Sequence, residues 1–273
     1  RAVQRISALA PGSGAEVGRV QLTFTPVGRL LGASAVTLTA GRERIVFSGD
    51  LGRSNDLLLP APQAVRSADV LLVESTYGNR VHPSEDVQVR LGEIVRRTIA
   101  RGGSVLMPSF AVGRAQALLL VLQRLRAAGD IPHSLPIYLD SPMATAATEI
   151  TLKHHKLLRV PARELAALKD GVRFVETGVQ SQRLSRSRWP AVIISASGMA
   201  TGGRVLHHIK ALAPDPKHHL VFPGFQVAGT RGAKIIAGAS EVKIFGEMVP
   251  IRAEVSHLEG FSGHADADEL MAW

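Results

Sequence analysis

The chain has 273 residues, 45% hydrophobic and 20% charged, the composition of a folded protein large enough for one big domain or two ordinary ones and not of a disordered chain. It has no cysteine, which excludes disulfides and thiolate metal ligands, so any metal must be held by histidine and carboxylate. Thirty-two basic against 23 acidic residues leave a net charge of +9, which favours a polyanionic partner, nucleic acid first, unless it is only an arginine-rich surface.

No apolar run approaches the roughly 20 residues that span a bilayer, so no membrane partner is expected. The chain opens on Arg1 and not on Met, as a fragment or trimmed chain would, so the lack of a leader carries no weight. Residues 1–19 are rich in small residues and read as a connection into the first strand. Val20–Thr25 alternates with period two, Ala35–Thr39 follows a glycine-punctuated turn, and Ile45–Phe47 and Val70–Val73 are short apolar runs that suit buried strands. The first three of these runs form an antiparallel meander. The texture then changes to helix and strand in alternation. A helix over 84–101 is predicted, with Ser84 as N-cap and Gly102-Gly103 ending it. Strand 104–107, helix 113–128, strand 136–140 and a helix opened by Ser141-Pro142 follow, at intervals suited to βαβ crossovers and a parallel sheet. Residues 151–190 are basic and less regular and read as a solvated face. Strands 192–195 and 219–222 flank a helix over 205–212; 242–245 and 249–255 return to β texture, and Asp268 is placed to cap a last helix.

The two runs at 45–47 and 70–73 each lead to a carboxylate, Asp50 and Glu74, followed by a glycine turn. In α/β sheets ligands bind in the crevice beyond the carboxyl ends of the strands, so the pair reads either as one edge of an active site or as two loop-capping acids. The turn Ser195–Arg204 follows a strand and opens a helix, a context in which backbone N–H groups hold phosphate. Ser197, Gly198, Thr201, Gly203 and Arg204 are its candidate contacts, although a tight turn needing small residues fits as well. Ser109 with Arg114, Asp140 with Ser141, and Gln226 with Thr230 sit at three more strand ends. His264 lies in a loop of small residues; beside Glu74 it would be suited to donate a proton to a leaving group, and alone it reads as structural. The adjacent pairs His154-His155, His207-His208 and His218-His219 point in different directions, make poor chelators and read as surface residues.

Taken in order, FSGDLGR (47–53), VESTYGNR (73–80), PSFAVGRAQ (108–116), YLDSPMA (138–144), SASGMATGGR (195–204) and GFSGHADADEL (260–270) resemble the β-CASP branch of the metallo-β-lactamase superfamily. Within it, the chain is most similar to the bacterial and archaeal ribonucleases related to the cleavage-and-polyadenylation endonuclease, from about residue 20 to 273. The resemblance implies an α/β fold: part of an αββα metallo-β-lactamase domain (1–78 and 256–273, the latter an RNA-specificity motif) carrying an inserted β-CASP domain with a mainly parallel sheet (79–255). It implies a zinc-dependent hydrolase of single-stranded RNA using two metal ions, Zn2+, with Asp50 bridging them, Glu74 orienting a histidine, and His264 as that histidine and general acid. Ser109, Arg114, Ser141, Ser197, Gly198, Thr201, Gly203, Arg204 and Ser262 would bind the RNA backbone. A cytoplasmic location is implied, and a homodimer is admitted.

Three departures set limits. The family's HxHxDH cluster is not in this chain, its last zinc histidine would lie beyond Trp273, and its ligand histidine in an AGH-like triplet is here Val27-Gly28-Arg29. A guanidinium cannot ligate zinc and repels it. The chain as given is therefore expected to be inactive. The competing expectations are a non-catalytic RNA-binding paralogue, in which Arg29 contacts a phosphate, and, less well supported by the basic balance, a hydrolase of small phosphodiesters.

Overall fold

The computed structural model describes Gln4, residues 6–10 and residues 12–273. Of the opening connection, residues 1–3, 5 and 11 lie outside the described residues. The chain divides into two compact units, one made of Arg1–His82, Lys156–Val160 and Gly263–Trp273, the other of Pro83–His155 and Pro161–Ser262.

The first unit is built on a five-stranded sheet in the order β1 (Gly14–Val17), β2 (Val20–Pro26), β3 (Ser34–Ala40), β4 (Glu43–Phe47), β5 (Val70–Leu72). The first four strands run antiparallel; β5 joins β4 in parallel. The connection expected over 1–19 thus contains a strand. Val27, Ala35, Leu51 and Ala265 make a small core against which Val65, Leu270 and Trp273 pack. The run at 70–73 corrects the expectation of a buried strand. Val70, Leu71, Leu72 and Val73 are each about half exposed, because among the described residues β5 is the edge strand of its sheet. A last helix, α8 (Ala267–Ala272), is capped by Asp266, not Asp268: the Asp266 carboxylate accepts the Glu269 N–H at 3.0 Å and the Glu269 side chain reaches back to the Asp266 N–H.

The second unit has a six-stranded, fully parallel sheet in the order β13 (Glu254–Leu258), β10 (His219–Pro223), β6 (Val105–Pro108), β9 (Val192–Ser195), β7 (Ile137–Asp140), β8 (Val172–Phe174). Its central strands are buried along their whole length, as a sheet covered on both faces demands. Helix α1 (Val87–Ala100) leads into β6, the first of these strands along the chain, and the crossovers are α2 (Arg114–Ala127), α3 (Pro142–Lys153), α4 (Ala162–Ala166), α5 (Gly178–Ser185), α6 (Val205–Leu212) and α7 (Arg231–Ile236). A hairpin of β11 (Glu241–Ile244) and β12 (Glu247–Pro250) stands apart as its own sheet. The predicted strand 249–255 is therefore two strands in different sheets. Helix α1 starts at Val87, since Asp86 accepts the N–H groups of Gln88 and Val89 at 2.9 and 3.2 Å and so outcompetes Ser84 as the cap. The stretch 151–190 is more regular than its composition implied, containing α4, β8 and α5, the last closed by a Thr177/Gln180 capping box.

The core of this unit runs from Leu106, Ile193, Leu220 and Phe222 on the sheet to Val205, Ile209 and Leu212 of α6 and Val242 and Ile244 of the hairpin. Two histidine pairs correct the reading as surface residues. His208 is buried because α6 turns Val205, His208, Ile209 and Leu212 inward at helical spacing. His219 is buried because it opens the interior strand β10, and His218, just before it, is buried with its Nδ1 accepting the Ser104 N–H at 2.9 Å.

Candidate active site

In the first unit three loops converge. The turn after β4 carries Asp50, the turn after β5 carries Glu74, and the turn after β2 carries Arg29. Gly52 donates its N–H to the Val27 carbonyl at 2.8 Å, which ties the Asp50 turn to the Arg29 turn. The approach is so close that a Cβ on Gly52 would overlap the Gly28 carbonyl and stand 2.8 Å from the Arg29 nitrogen. Ser48 is buried; its hydroxyl accepts the Glu74 N–H at 2.9 Å and thereby joins the ends of β4 and β5.

The Glu74 carboxylate accepts from the Leu51 N–H and from Nδ1 of His264, at 3.1 Å to Oε2 and 3.3 Å to Oε1. Burial raises the pKa of Glu74, but hydrogen bonds from His264, Thr76 and Leu51 outweigh it, and the net shift is downward. Glu74 is thus held as a carboxylate. Nε2 of His264 lies 3.1 Å from Nη2 of Arg29. Arginine has no acceptor, so Nε2 carries the lone pair and Nδ1 the proton, donated to Glu74.

The backbone of the His264 loop is pinned independently. Ala265 donates to the Leu51 carbonyl at 2.9 Å, Ala267 to the Arg80 carbonyl at 3.0 Å, and Nε2 of His82 lies 2.9 Å from the His264 carbonyl. His82 in turn gives its N–H to Asp266 at 2.8 Å and sits against the buried ring of Tyr77, 4.7 Å between centroids. His82, Tyr77 and the contact of Arg29 with His264 escaped the sequence reading. His82 follows Glu74 by eight residues with no periodic signal, and the Arg29 contact spans 235 positions.

The phosphate-binding candidates all belong to the second unit. At the carboxyl ends of its strands, Ser109 donates its N–H to the Ser195 carbonyl at 2.9 Å, and a Cβ on Gly198 would meet the Phe110 nitrogen at 2.9 Å, so the β6 and β9 turns lie one on the other. The Ser197 hydroxyl accepts the Thr201 N–H at 3.2 Å, and Gly203 holds a left-handed φ of 79° at a point where an added Cβ would stand 2.7 Å from the Ala196 carbonyl oxygen. Thr201 faces solvent, whereas Ser109, Ser141 and Ser262 are buried, with the Ser141 hydroxyl capping α3 at the Ala144 N–H, 3.2 Å. Arg114 packs over the Phe110 ring at 5.2 Å and donates to the Phe261 carbonyl at 3.3 Å. The guanidinium of Arg204 points inward: it bonds the fully buried Asp140 carboxylate at 2.7 Å and the carbonyls of Val175 and Glu176 at 2.9 and 2.8 Å. Asp140 also takes the Ser181 hydroxyl and lies 2.7 Å from Nε2 of the buried His208, whose Nδ1 meets Ser185 at 2.9 Å. Burial raises the Asp140 pKa, and the bonds from His208, Ser181 and Arg204 reverse the shift to a net lowering.

Residues 115–235 match the Beta-Casp domain, and residues 248–273 match the Zn-dependent metallo-hydrolase RNA specificity domain. A ribonuclease of Thermus thermophilus is 39% identical over 282 residues, covering 100% of this chain and 64% of that protein. Transcription termination factor FttA of Thermococcus kodakarensis is 36% identical over 93% of this chain and 42% of its own length, and an RNase J-like protein of Methanocaldococcus jannaschii is 32% identical over 93% and 60%. The chain thus spans less than two thirds of each of these relatives. A solved structure of a protein of unknown function from Enterococcus faecalis superposes with a TM-score of 0.53 at 13% identity, over 98% of this chain and 58% of that one, a likeness of fold alone. Sheet order, turn chemistry and domain matches together define a metallo-β-lactamase-fold protein with a β-CASP domain. The chain belongs to the β-CASP metallo-β-lactamase-fold ribonuclease family.

That family's metal can be tested against this chain's donors. Asp50, Glu74 and His264 offer ligand atoms within 4.8 Å of one another. Glu74 is committed to His264 and Leu51, and the Nε2 lone pair of His264 is turned to a guanidinium that cannot leave its charge behind. Asp50 is the one uncommitted donor, so these residues do not fit zinc. A second trio, His82, Asp266 and Glu269, also falls within 4.8 Å, but its carboxylates are taken by the His82, Ser54 and capping N–H groups. Among the described residues no helix is long and apolar enough to cross a membrane.

Proposed function

We infer that the whole protein binds single-stranded RNA and hydrolyses its phosphodiester bonds. The observation that carries this reading is the Glu74–His264 pair at 3.1 Å: a histidine whose ring orientation and tautomer are set by a carboxylate, in a loop fastened at three backbone points. Such a group moves a proton at Nε2, the atom turned away from its orienting acid. Arg29 supports a role for that atom towards phosphate, because a guanidinium prefers two oxygens of a phosphodiester to one imidazole nitrogen. An RNA phosphate arriving at Arg29 would draw the guanidinium from His264 and leave Nε2 facing the scissile linkage. The exposed Thr201 and the backbone of the 197–203 turn suit contact with further phosphates. The names of the ribonuclease and RNase J-like relatives and of the RNA specificity domain favour RNA over other phosphodiesters.

A second reading, RNA binding without cleavage, is favoured by Arg29 itself, a fixed positive charge where a ligand histidine is expected. Zinc-dependent, two-metal hydrolysis is the finer reading; of this chain's own residues Asp50 is the donor left for it, and the guanidinium of Arg29 stands against it. The test is incubation of the whole protein with end-labelled single-stranded RNA, with zinc measured by elemental analysis. Cleavage that disappears in His264→Ala while RNA is still bound supports hydrolysis. Salt-sensitive binding with no cleavage and no zinc supports the binding protein.

A further inference from the structure

The segment from Thr177 to Ala191 contains no carboxylate and ends in Arg183, Arg186, Arg188 and Trp189. All four are exposed, Trp189 to 80%, on a chain whose other tryptophan gives its indole N–H to the Gln63 carbonyl. Among the described residues none of the three guanidiniums has an ion-pair or hydrogen-bond partner, whereas Arg97, Arg101, Arg124 and Arg204 are all paired with acids. The indole stands on a fixed base. The Trp189 N–H bonds the Ser187 hydroxyl at 3.3 Å, its carbonyl accepts from the Ser104 hydroxyl at 3.4 Å, and the Ala191 N–H meets the same hydroxyl at 3.1 Å. Proline 190 stiffens the step between them.

A large aromatic face presented to water from a hydrogen-bonded backbone, beside three unneutralised cations, is the arrangement that binds single-stranded nucleic acid: bases stack on the ring and phosphates pair with the arginines. We propose that Trp189, Arg183, Arg186 and Arg188 form an accessory site for single-stranded RNA. The site lies just before β9, at the amino-end edge of the parallel sheet, so roughly 13 Å of strand separates it from the 197–203 turn at the carboxyl end. It engages nucleotides distant from those at that turn and makes the protein prefer long strands to short ones. The inference rests on the reading that the protein acts on RNA.

The test is fluorescence anisotropy of the whole protein with labelled oligouridine of roughly 20 and roughly 4 nucleotides, over a range of salt. Trp189→Ala is expected to weaken the long strand about tenfold and the short one hardly at all, with Trp189→Phe recovering most of the loss. Arg186→Gln with Arg188→Gln is expected to flatten the slope of log affinity against log salt by about 1.4. Unchanged long-strand affinity in all three variants, with the wild type binding well, overturns the site and leaves the RNA reading standing. Wild type that binds neither strand overturns both. A change of oligomeric state in Trp189→Ala, seen by sedimentation and accompanied by unaltered RNA affinity, makes the indole a contact between copies and also overturns the proposal.

Discussion

Nη2 of Arg29 lies 3.1 Å from Nε2 of His264, and the opposite ring nitrogen of that histidine is held by Glu74. The imidazole is therefore spanned by a fixed cation on one side and an orienting carboxylate on the other. Arg29→His removes the charge and supplies a donor. It is expected to raise zinc affinity by more than the 10- to 100-fold typical of an outer-shell partner, measured by competition with a chromogenic chelator. Equal zinc uptake by wild type and variant would show that Arg29 is not what repels the ion.

Glu74→Gln and His264→Ala are expected to lower the rate of RNA cleavage about 10²- to 10⁴-fold while leaving strand affinity within a few-fold. Single-turnover cleavage beside anisotropy separates the two effects. A parallel loss of binding would recast the pair as a structural clasp between two loops.

Gly52→Ala drives a methyl into the Gly28 carbonyl and towards the Arg29 nitrogen. The expected cost is about 1–3 kcal/mol, as for other overpacked sites, read as a lower melting temperature. The loss should be accompanied by altered RNA binding, since the Asp50 and Arg29 turns are displaced together.

Asp140 is a buried anion with Arg204, His208 and Ser181 around it. Asp140→Ala leaves the guanidinium and the imidazole without their acceptor and is expected to cost about 3–5 kcal/mol. Asp140→Asn, which keeps an acceptor but not the charge, should fall between. Denaturant unfolding of the three proteins gives the order directly.

Burial drives the pKa of His219 down to about 4, with Glu254 opposing and Arg97, Arg101 and Arg90 reinforcing the shift. Between its unfolded value near 6.5 and about 4 the unfolded chain binds a proton that the folded chain refuses. Stability present above that window is thus lost as pH falls through it, by roughly 3 kcal/mol in all. Glu74, Asp140 and Asp266 are shifted down as well, so their contributions are lost at lower pH still. Melting temperature should fall steadily from pH 7 to pH 4, and His219→Gln should flatten the upper part of the curve.

The alternation of strand, turn and helix and the ends of most strands were legible because each depends on local pattern; Asp50 and Glu74 could be read as acids at strand ends, whereas the meeting of Glu74 with His264 across 190 positions was implied only by the family resemblance. His208 was legible and passed over: Val205, His208, Ile209 and Leu212 share one helical face, and only its neighbour His207 is exposed. So was the Thr177/Gln180 box that closes α5. The exposure of β5 was not, since a run such as VLLV reads alike in a central strand and at an edge. The inward turn of Arg204 was not either, because it depends on Asp140, 64 positions away.

The open flank of β5 has a consequence for handling as much as for architecture. Val70 to Val73 form a half-exposed apolar ribbon on a strand that, among the described residues, pairs on one side only, a template on which another extended chain can lay down. At high concentration the chain should self-associate through that ribbon before it unfolds. A lysine at position 71, the kind of gatekeeper that sheet edges use, should raise its solubility limit with little change in melting temperature.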